Sequence, residues 1–504
     1  MTTTRLDYKW QVGIVFVLAL FLDLLDISIV TVAIPTLAGE FGTDTTTIEW
    51  VVTGYLLSLA VFIPFSGWLG DRFGTKRIFI LALVIFLLGS LLSGLAWNIE
   101  SLIAFRVLQG VGGGMITPVG YAMLWRAFPP AERAAASAVL AIPITIAPAM
   151  GPLVGGYLVD YHDWRWIFFI NLPIGIVGLA AAALLLREHV EESAGRLDVP
   201  GLTLSAAGLV AVVYALAEAG LHGFGDPRVI VFGLGGLALL AVFTLVELRT
   251  KEPMIDVRLL SDNLFGRSNI VNLVLFGSQM GAFFLLPIFL QAQKGLDAFD
   301  VGLITFPTAI GVAVMAQPAA RLYPVIGAQR MLLAGFAGAI AANFALALID
   351  YGTSDWWIAA NMFVRGLFFG LVIIPIQTVT FATIRPEAMG RASSIFNTVR
   401  QVGSSLGVAV LASALTNRLG YHDAVLGDPA TRDAALTAFQ DTFMIAGALG
   451  VLGLVASLFI DDRKVTKAAA GEVLEPAATE ATHVHIPRRV ASAAEAVPVD
   501  VVGD

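Results

Sequence analysis

Long apolar segments alternate with short polar connections along almost the whole chain. Crossing the hydrocarbon core of a bilayer takes about 20 helical residues for about 30 Å. Because lipid offers no hydrogen-bond partner to a free peptide group, such segments are expected to be α-helices. The pattern predicts fourteen spans, at residues 11–35, 48–69, 78–97, 101–124, 135–160, 166–186, 200–220, 228–248, 266–292, 300–320, 331–349, 357–383, 392–416 and 438–460.

The composition agrees with this all-α integral membrane protein. Of the 504 residues, 57% are hydrophobic and 13% are charged, whereas a soluble domain is about 45–50% apolar and about 25% charged. The absence of cysteine excludes disulfides, Cys-ligated zinc and iron–sulfur clusters. A net charge of −8, spread over many short loops, argues against a nucleic-acid partner.

The distribution of Lys and Arg predicts the orientation of the chain. If residues 1–10 are cytoplasmic, the loops on the opposite side contain few basic residues, namely Arg165, Arg228, Lys294, Arg418 and Arg432. By the positive-inside rule both termini are then cytoplasmic, and the first span is uncleaved. The tail, residues 461–504, is predicted to be disordered, with His483 and His485 solvated rather than bound to a metal.

A weak internal repeat predicts two related halves. The segments WLGDRFGTKR (68–77) and RLYPVIGAQR (321–330) share a leucine, a glycine and the final arginine in register, although Pro324 stands where the first copy has Asp71. Two repeated bundles are a common transporter plan. We predict an N-terminal six-helix bundle, two linker helices and a C-terminal six-helix bundle, at residues 11–186, 187–265 and 266–460.

The first span, which contains FLDLLDISIVTVAIP (21–35), has two acidic residues in an apolar setting. A carboxylate at the centre of a membrane helix is unfavourable by about 2.5–3.5 kcal/mol on insertion scales. Asp23 and Asp26 lie three residues apart, hence on nearly the same helix face. Two acids in a low-dielectric setting can carry a proton, although Asp23 could instead face water in a cytoplasmic vestibule. Pro35 is predicted to mark the outer end of the helix.

Two arginines fall inside spans and precede glycines, in FRVLQGVGGG (105–114) and VRGLFFG (364–370). A buried arginine needs a partner or water. Arg106 could pair with a nearby carboxylate or bond backbone carbonyls of a neighbouring helix, and the same choice applies to its counterpart Arg365. The sequence leaves both alternatives open.

The loop GWLGDRFGTKR (67–77) joins the second and third spans. Gly67 and Gly74 would let two helices approach closely. Asp71 is predicted to lie in a charge cluster that locks or releases two helix ends, and the basic members of this cluster are Arg72, Lys76 and Arg77. The alternative is that these basic residues only set the topology.

Several motifs resemble those of the major facilitator superfamily, in particular its fourteen-helix drug–proton antiporters of the QacA and EmrB type. GWLGDRFGTKR resembles the loop signature, LIAFRVLQGVGGG (102–114) the fourth-helix motif, and LDISIVTVAIP (25–35) the first-helix motif. GPLVGG resembles the end of the antiporter motif in the fifth helix, with Gly151, Pro152, Gly155 and Gly156. Two glycines usual earlier in that motif are here Ala138 and Ala147.

The resemblance implies proton-coupled efflux of amphipathic, often cationic, compounds by alternating access in a bacterial cytoplasmic membrane. It assigns proton coupling to Asp26 and Arg106, with Asp23 as a second candidate. It further implies no enzymatic activity, no cofactor and no metal, a proton gradient as energy source, and a functional monomer in the bilayer. The residues expected to line the substrate cavity are Asp23, Gln109, Arg365, Asn397 and Gln401.

Two other functions remain compatible with the residues. The cargo could be a dedicated endogenous lipid, siderophore or metabolite, because such motifs report the transport machinery more than its cargo. The chain could also be a membrane sensor or scaffold, against which the buried acid, the buried arginine and the loop signature argue.

In one gating state, the start of a helix in the C-terminal half is expected to approach the first-half loop. A helix that begins near Gly390 and Arg391 would present its N-terminus to Asp71, where the helix dipole favours a carboxylate.

Overall fold

The computed structural model describes residues 7–461, except residues 44, 192–197, 251–252, 254 and 427. Residues 1–6 and the tail predicted to be disordered, from residue 462 onward, lie outside the described residues. Within the described ranges, fourteen helical segments are long and apolar enough to span a membrane. The predicted all-α membrane fold is therefore confirmed.

Sixteen α-helices make up these segments, because two of the spans are interrupted. They are α1 (Tyr8–Phe41), α2 (Thr45–Phe73), α3 (Thr75–Gly94), α4 (Ile99–Ala127), α5 (Arg133–Tyr161), α6 (Trp166–Phe169), α7 (Asn171–Leu185), α8 (Val199–His222), α9 (Pro227–Arg249), α10 (Asn263–Ala292), α11 (Ala298–Thr305), α12 (Pro307–Ile326), α13 (Ala328–Leu346), α14 (Asp355–Thr380), α15 (Met389–Tyr421) and α16 (Arg432–Ser457).

The helices pack as two bundles with an additional pair beside them. In the N-terminal bundle α1 packs against α4, α5 and α7, and α4 also packs against α2 and α3. In the C-terminal bundle α14 packs against α12 and α13, and α10 packs against α15 and α16. The linker helices α8 and α9 pack against each other, and α8 contacts α2 and α15. The exact limits given for the three segments stay a prediction.

The first helix extends further than expected, so the prediction that it ends at Pro35 was wrong. It continues to Phe41 and stops at Gly42, whose φ of 58° is left-handed and whose N–H bonds to the carbonyls of Ala38 and Gly39. A proline removes one backbone donor, which a membrane helix tolerates. A glycine in the left-handed region, in contrast, turns the chain out of the helix.

Two predicted spans, 166–186 and 300–320, are each divided into a short and a long helix. Helix α11 stops at Thr305 and α12 starts at Pro307. Proline has no N–H to continue the hydrogen-bond ladder but fits the first turn of a helix. The chain therefore restarts its helix at this point.

The internal repeat is visible in the backbone of the two short connections. Gly74 links α2 to α3 with a φ of 102°, and Gly327 links α12 to α13 with a φ of 86°. These glycines are the ones aligned in the two repeated segments. Residues other than glycine rarely adopt such backbone φ angles. The repeat therefore encodes the same tight helix connection twice.

A glycine seam that the sequence analysis did not single out joins α10 to α15. It consists of Gly277, Gly281, Gly403 and Gly407. A Cβ placed on Gly281 would lie 2.6 Å from the carbonyl oxygen of Gly407, and one on Gly277 would lie 3.0 Å from that of Gly403. The two backbones are thus in direct contact, as in other membrane helix pairs with small residues at the interface.

Candidate functional site

Asp26 of α1 lies at the centre of a buried polar network in the N-terminal bundle. Its side chain is fully buried, and Oδ2 accepts a hydrogen bond of 2.6 Å from Nη1 of Arg106 on α4. Oδ1 accepts from Nε2 of Gln109 and from Nδ2 of Asn171, each at 2.8 Å. The acid is therefore paired and hydrogen-bonded, the condition under which a buried charge is tolerated.

Both partners considered for Arg106 are present at once. Besides the carboxylate, its Nη1 donates to Oε1 of Gln109 at 2.7 Å, and Nε donates to the carbonyl oxygen of Val51 on α2 at 3.2 Å. The guanidinium also lies 4.2 Å from the ring centroid of Tyr55. The guanidinium group of Arg106, itself on α4, thus bonds to residues of both α1 and α2.

Sequence reasoning missed Asn171, which brings a fourth helix, α7, into the network. Its Nδ2 donates to Asp26 and also to Oγ of Ser90 on α3, at 3.0 Å. The available signal was an asparagine in an otherwise apolar span, in the stretch INLPIG. A buried amide in such a position needs a hydrogen-bond partner.

Asp23 lies one helical turn away and has a different environment. Tyr55 donates its hydroxyl to Oδ1 at 2.7 Å, and Thr117 of α4 donates to Oδ2 at 3.1 Å. The side chain is 5% exposed, so it does not face open water in this structure. Because the ring of Tyr55 faces Arg106 while its hydroxyl holds Asp23, this tyrosine links the two acids.

Asp71 lies where the two bundles meet, at the predicted cytoplasmic end. A Cβ placed on Gly390 would be 2.6 Å from Oδ2 of Asp71, so the carboxylate faces the first residues of α15 as expected. Oδ1 accepts a hydrogen bond of 2.6 Å from Nη2 of Arg126, and Nε of Arg126 donates to the carbonyl oxygen of Pro386 at 3.1 Å. Arg126 on α4 thus joins the acid to the C-terminal half.

Two of the basic residues of the Asp71 loop bind other groups, and the ion pair of Asp71 is with Arg126. Nζ of Lys76 donates to the carbonyl oxygens of Ala183 and Leu186, at the C-terminal end of α7. A helix C-terminus attracts cations. Arg77 lies 3.5 Å from Oε2 of Glu188. The remaining basic residue of the loop, Arg72, is exposed.

Glu188, which the sequence analysis did not consider, secures the start of α3. Its Oε1 accepts from the backbone N–H of Lys76 at 3.0 Å, and its Oε2 accepts from that of Arg77 at 3.2 Å. These are first-turn donors that have no partner within the helix. A Cβ at Gly74 would contact this carboxylate, so the glycine also makes room for the cap.

Close backbone contact closes the bundles at this end. A Cβ on Gly67 of α2 would lie 2.5 Å from Oγ of Ser394 and 2.6 Å from the carbonyl oxygen of Gly390, both on α15. Nearby, Arg133 of α5 donates to the carbonyl oxygen of Phe381. The ring of Phe381 also stacks on that of Trp125, with centroids 5.4 Å apart.

The glycines of the antiporter-like segment of α5 face α1 within the same bundle. A Cβ on Gly151 would lie 2.8 Å from the backbone carbon of Ser28, and one on Gly155 would lie 2.9 Å from Cγ1 of Ile29. Gly156 is buried, and Pro152 lies within α5. The segment thus brings α5 close to the helix that carries both acids. Ala138 and Ala147, where related motifs have glycine, are fully buried.

The residues expected to line a substrate cavity have different surroundings in this structure. Gln109 belongs to the Asp26 network, and Nδ2 of Asn397 donates to the carbonyl oxygen of Ser393 in its own helix at 2.8 Å. Gln401 lines a small apolar cavity together with residues of α2 and α8. Arg365 is fully buried in the C-terminal bundle. Asp23 and Gln109 both lie in the N-terminal bundle, where Asp23 contacts Tyr55 and Thr117 and Gln109 contacts Asp26 and Arg106.

Arg400 of α15 is a charge that faces the N-terminal bundle. Its guanidinium carbon lies 6.0 Å from the ring centroid of Tyr121 on α4 and 5.6 Å from that of Phe276 on α10. It is close enough to contribute to the electrostatic field at Asp23. The region between the bundles therefore contains an acid from one half and a cation from the other.

We predict that Asp71→Asn opens the closed end. Removing the charge weakens the contacts of Asp71 with Arg126 and with the α15 N-terminus. Because the sequence has no cysteine, Ser394→Cys would supply a single thiol at a buried position. Maleimide labelling of this thiol should become several-fold faster in the Asp71→Asn variant. Arg72→Gln, next to Asp71 but exposed, is the matched control and should label at the parent rate. Equal rates in all three proteins would show that Asp71 does not hold this end closed.

Sequence comparisons agree with this architecture. The sequence profile of the Major Facilitator Superfamily matches residues 16–408. A multidrug resistance protein B homolog of Mycobacterium tuberculosis is 33% identical over 416 residues, which cover 82% of this chain and 77% of that protein. A putative multidrug resistance protein MdtD of Serratia proteamaculans is 32% identical over 434 residues, covering 86% and 90% of the two chains.

Solved structures show the same fold at low sequence identity. The human organic anion transporter MFSD10 superposes with a TM-score of 0.64 at 15% identity, covering 89% of this chain and 99% of that one. The proton:xylose symporter XylE superposes with a TM-score of 0.63, also at 15% identity, covering 92% and 98%. The two bundles, the fourteen spans and the profile match agree, and the chain belongs to the major facilitator superfamily, with the plan of its fourteen-helix drug–proton antiporters.

Proposed function

We propose that this protein exports amphipathic, often cationic, compounds across the cytoplasmic membrane in exchange for protons. The observation that carries the proposal is the buried Asp26–Arg106 pair on α1 and α4, inside a transporter fold. Ionisable residues in membrane spans are rare and mark ion and proton pathways. Two of the relatives, named a multidrug resistance protein homolog and a putative multidrug resistance protein, support the choice of cargo class.

Proton binding at Asp26 would change the contacts between three helices. The carboxylate now holds Arg106, Gln109 and Asn171 together, and its charge balances the guanidinium. Protonation of Oδ2 would remove that balance and leave Arg106 with Gln109 and the carbonyl of Val51. The packing of α1 against α4 and α7 would then differ between protonation states. Such a difference is required of any ligand that shifts a conformational equilibrium.

Asp23 is proposed to attract the positive charge of the cargo. No cation lies within 4.0 Å of its carboxylate among the residues that the structure describes, and two neutral hydroxyls hold it in place. Tyr55 contacts both Asp23 and Arg106, so a change at Asp26 could reach the cargo-binding acid through one side chain. Arg400, on the opposite bundle, would move relative to Asp23 as the halves rock.

The orientation and the partners belong to the same proposal. The closed end formed by Asp71, Gly67 and α15 would face the cytoplasm, with both termini on that side, in a bacterial inner membrane. The protein would act as a monomer that binds small molecules, protons and lipid. No metal or other cofactor enters the proposed cycle, because the proton gradient supplies the energy.

Dye efflux tests the proposal. Cells loaded with ethidium should lose the dye several-fold faster when they produce the protein, and a proton uncoupler should abolish the difference. If cells with and without the protein lose ethidium and a panel of other cationic biocides equally, this cargo class is wrong. A parallel panel of envelope lipids and secreted metabolites would then identify a dedicated solute.

A further inference from the structure

Arg365, in the middle of α14, is a buried cation with an incomplete set of partners. Its side chain has no exposed surface. Nη2 donates to the carbonyl oxygen of Gln279 at 3.2 Å and to Oε1 of the same residue at 3.1 Å. Nε and Nη1 have no hydrogen-bond acceptor, and no carboxylate lies within 4.0 Å of the guanidinium in the described part of the chain.

The N-terminal half shows how an arginine in the equivalent position is neutralised. Arg106 precedes the glycines of α4 as Arg365 precedes Gly366 of α14. Arg106 pairs with Asp26 of the first helix in its bundle. The first helix of the second bundle, α10, supplies the neutral side-chain amide and the backbone carbonyl of Gln279. The C-terminal bundle therefore retains a full positive charge in its interior, an arrangement that is costly unless an anion balances it.

Arg365 and the Gln279 that it contacts together present three donors without a partner among the described residues. Besides Nε and Nη1 of the arginine, Nε2 of Gln279 has no acceptor among the described residues. This nitrogen is bonded to the same carbon as the Oε1 that Arg365 contacts, so it lies beside the guanidinium. Three donors and one positive charge suit an anion, since a planar guanidinium matches a carboxylate well.

An apolar wall completes the surroundings. The guanidinium carbon lies 5.0 Å from the ring centroid of Phe283, one turn beyond Gln279 on α10. This ring is partly exposed, whereas the arginine is not. The ring of Phe283 thus borders both the buried charge and the accessible surface.

We propose that Arg365 and Gln279 form an anion-binding site that accepts the acidic group of an amphoteric cargo or a small inorganic anion. The cargo version rests on the proposed function and widens its substrate class from cations to zwitterions. The site is then the complement of Asp23: one half of the protein binds positive charge and the other binds negative charge.

Two dyes that differ in a single group test the cargo version. Rhodamine 123 is the methyl ester of rhodamine 110, so only rhodamine 110 offers a free carboxylate. Binding to the purified protein, followed by quenching of tryptophan fluorescence, needs no proton gradient. Arg365→Gln should weaken rhodamine 110 binding at least tenfold and leave rhodamine 123 binding unchanged.

A sodium chloride titration, in which Arg365→Gln reports any general effect of ionic strength, tests the inorganic source. Chloride should raise the melting temperature of the parent protein by several degrees and leave that of Arg365→Gln unchanged. Gln279→Glu places a carboxylate beside Arg365, as Asp26 stands beside Arg106, and should abolish both responses in a folded protein. This variant keeps the proposal testable if Arg365→Gln does not fold.

If the variants lose rhodamine 110 binding, the site exists and binds the acidic group of a cargo. If they lose the chloride-dependent rise in melting temperature, the site exists and binds a small inorganic anion. If the parent protein binds both dyes but Gln279→Glu changes neither affinity, and chloride has no effect on the melting temperature, the site does not exist. If the protein binds neither dye, the proposed cationic cargo fails for this scaffold, while the chloride measurement still tests Arg365 separately.

Discussion

Replacing Asp26 by asparagine is expected to reduce efflux driven by a pH gradient to the rate of protein-free liposomes. The amide has nearly the shape of the carboxylate but cannot take up and release a proton. It also leaves Arg106 as an uncompensated buried charge, and removing one partner of such a pair typically costs about 3–5 kcal/mol. Loss of transport by the single variant would therefore mix lost coupling with lost stability.

The double variant Asp26→Asn with Arg106→Gln separates these two effects. It removes both charges, so we expect it to recover a large part of the melting temperature lost in Asp26→Asn and to remain inactive. The single and double variants, together with Arg106→Gln, form a double-mutant cycle that isolates the pair. Full proton-driven transport by the double variant would show that Asp26 does not carry the coupling.

Asp23→Asn is the comparison that distinguishes the two acids. Its hydrogen-bond donors are the hydroxyls of Tyr55 and Thr117, so losing the charge leaves no cation unpaired within 4.0 Å. We expect this variant to stay folded and to bind a cationic dye less tightly, while a pH gradient still drives the remaining transport. If Asp23→Asn is uncoupled and Asp26→Asn is not, the roles are reversed.

The second large effect is expected for Gly67→Val, which should abolish transport without unfolding either bundle. A Cβ on Gly67 would lie 2.6 Å from the carbonyl oxygen of Gly390, a backbone atom on the opposite half. The variant therefore disfavours the closed state described here. Overpacking of this kind typically costs about 1–3 kcal/mol, enough to shift a two-state equilibrium about five- to 150-fold.

Gly70→Val, one turn along the same helix, is the matched control. A Cβ there would meet Thr75 and Val119 at 3.6 Å, an ordinary contact distance within the N-terminal bundle. Gly70→Val should transport better than Gly67→Val, and a thiol at position 394 should be labelled at the parent rate only in Gly70→Val. Similar transport by both variants would mean that contact between α2 and α15 is not part of the cycle.

The spans could be predicted from the sequence because each one depends on local chemistry. Hydrophobic length, the requirement for a helix in lipid and the repeated short connection need no knowledge of the other helices. The end of α1 was harder to predict, since both Pro35 and Gly42 can mark a helix end. Backbone geometry at Gly42 decides between them.

The partners of the site could be predicted only in part, because they are set by packing. Asp26 and Arg106 could be named by motif, but Asn171, 145 residues from Asp26, gave no more than an unexplained amide in an apolar span. The approach of Asp71 to the start of α15 was predicted, but its ion pair with Arg126 was not. In the structure it turns towards Arg126 and α15, while Lys76 turns towards the C-terminus of α7.

Two features of the C-terminal half, the neighbour of Arg365 and the contact between α10 and α15, could not be predicted for a related reason. Sequence alignment of the repeats matched Arg365 to Arg106, but it did not show that Gln279 stands beside Arg365 as Asp26 stands beside Arg106. The glycine seam of α10 and α15 was missed as well, because glycines spaced along two distant spans reveal a contact only when the helices are placed together.

Proton movement linked to cargo movement is the most direct test of the account. Purified protein in liposomes that enclose a pH-sensitive dye should release protons from the lumen when ethidium enters down its own gradient, with no pH gradient imposed. In liposomes with the Asp26→Asn, Arg106→Gln double variant, the internal pH should not rise. Ethidium uptake by the parent protein with an unchanged internal pH would contradict proton coupling.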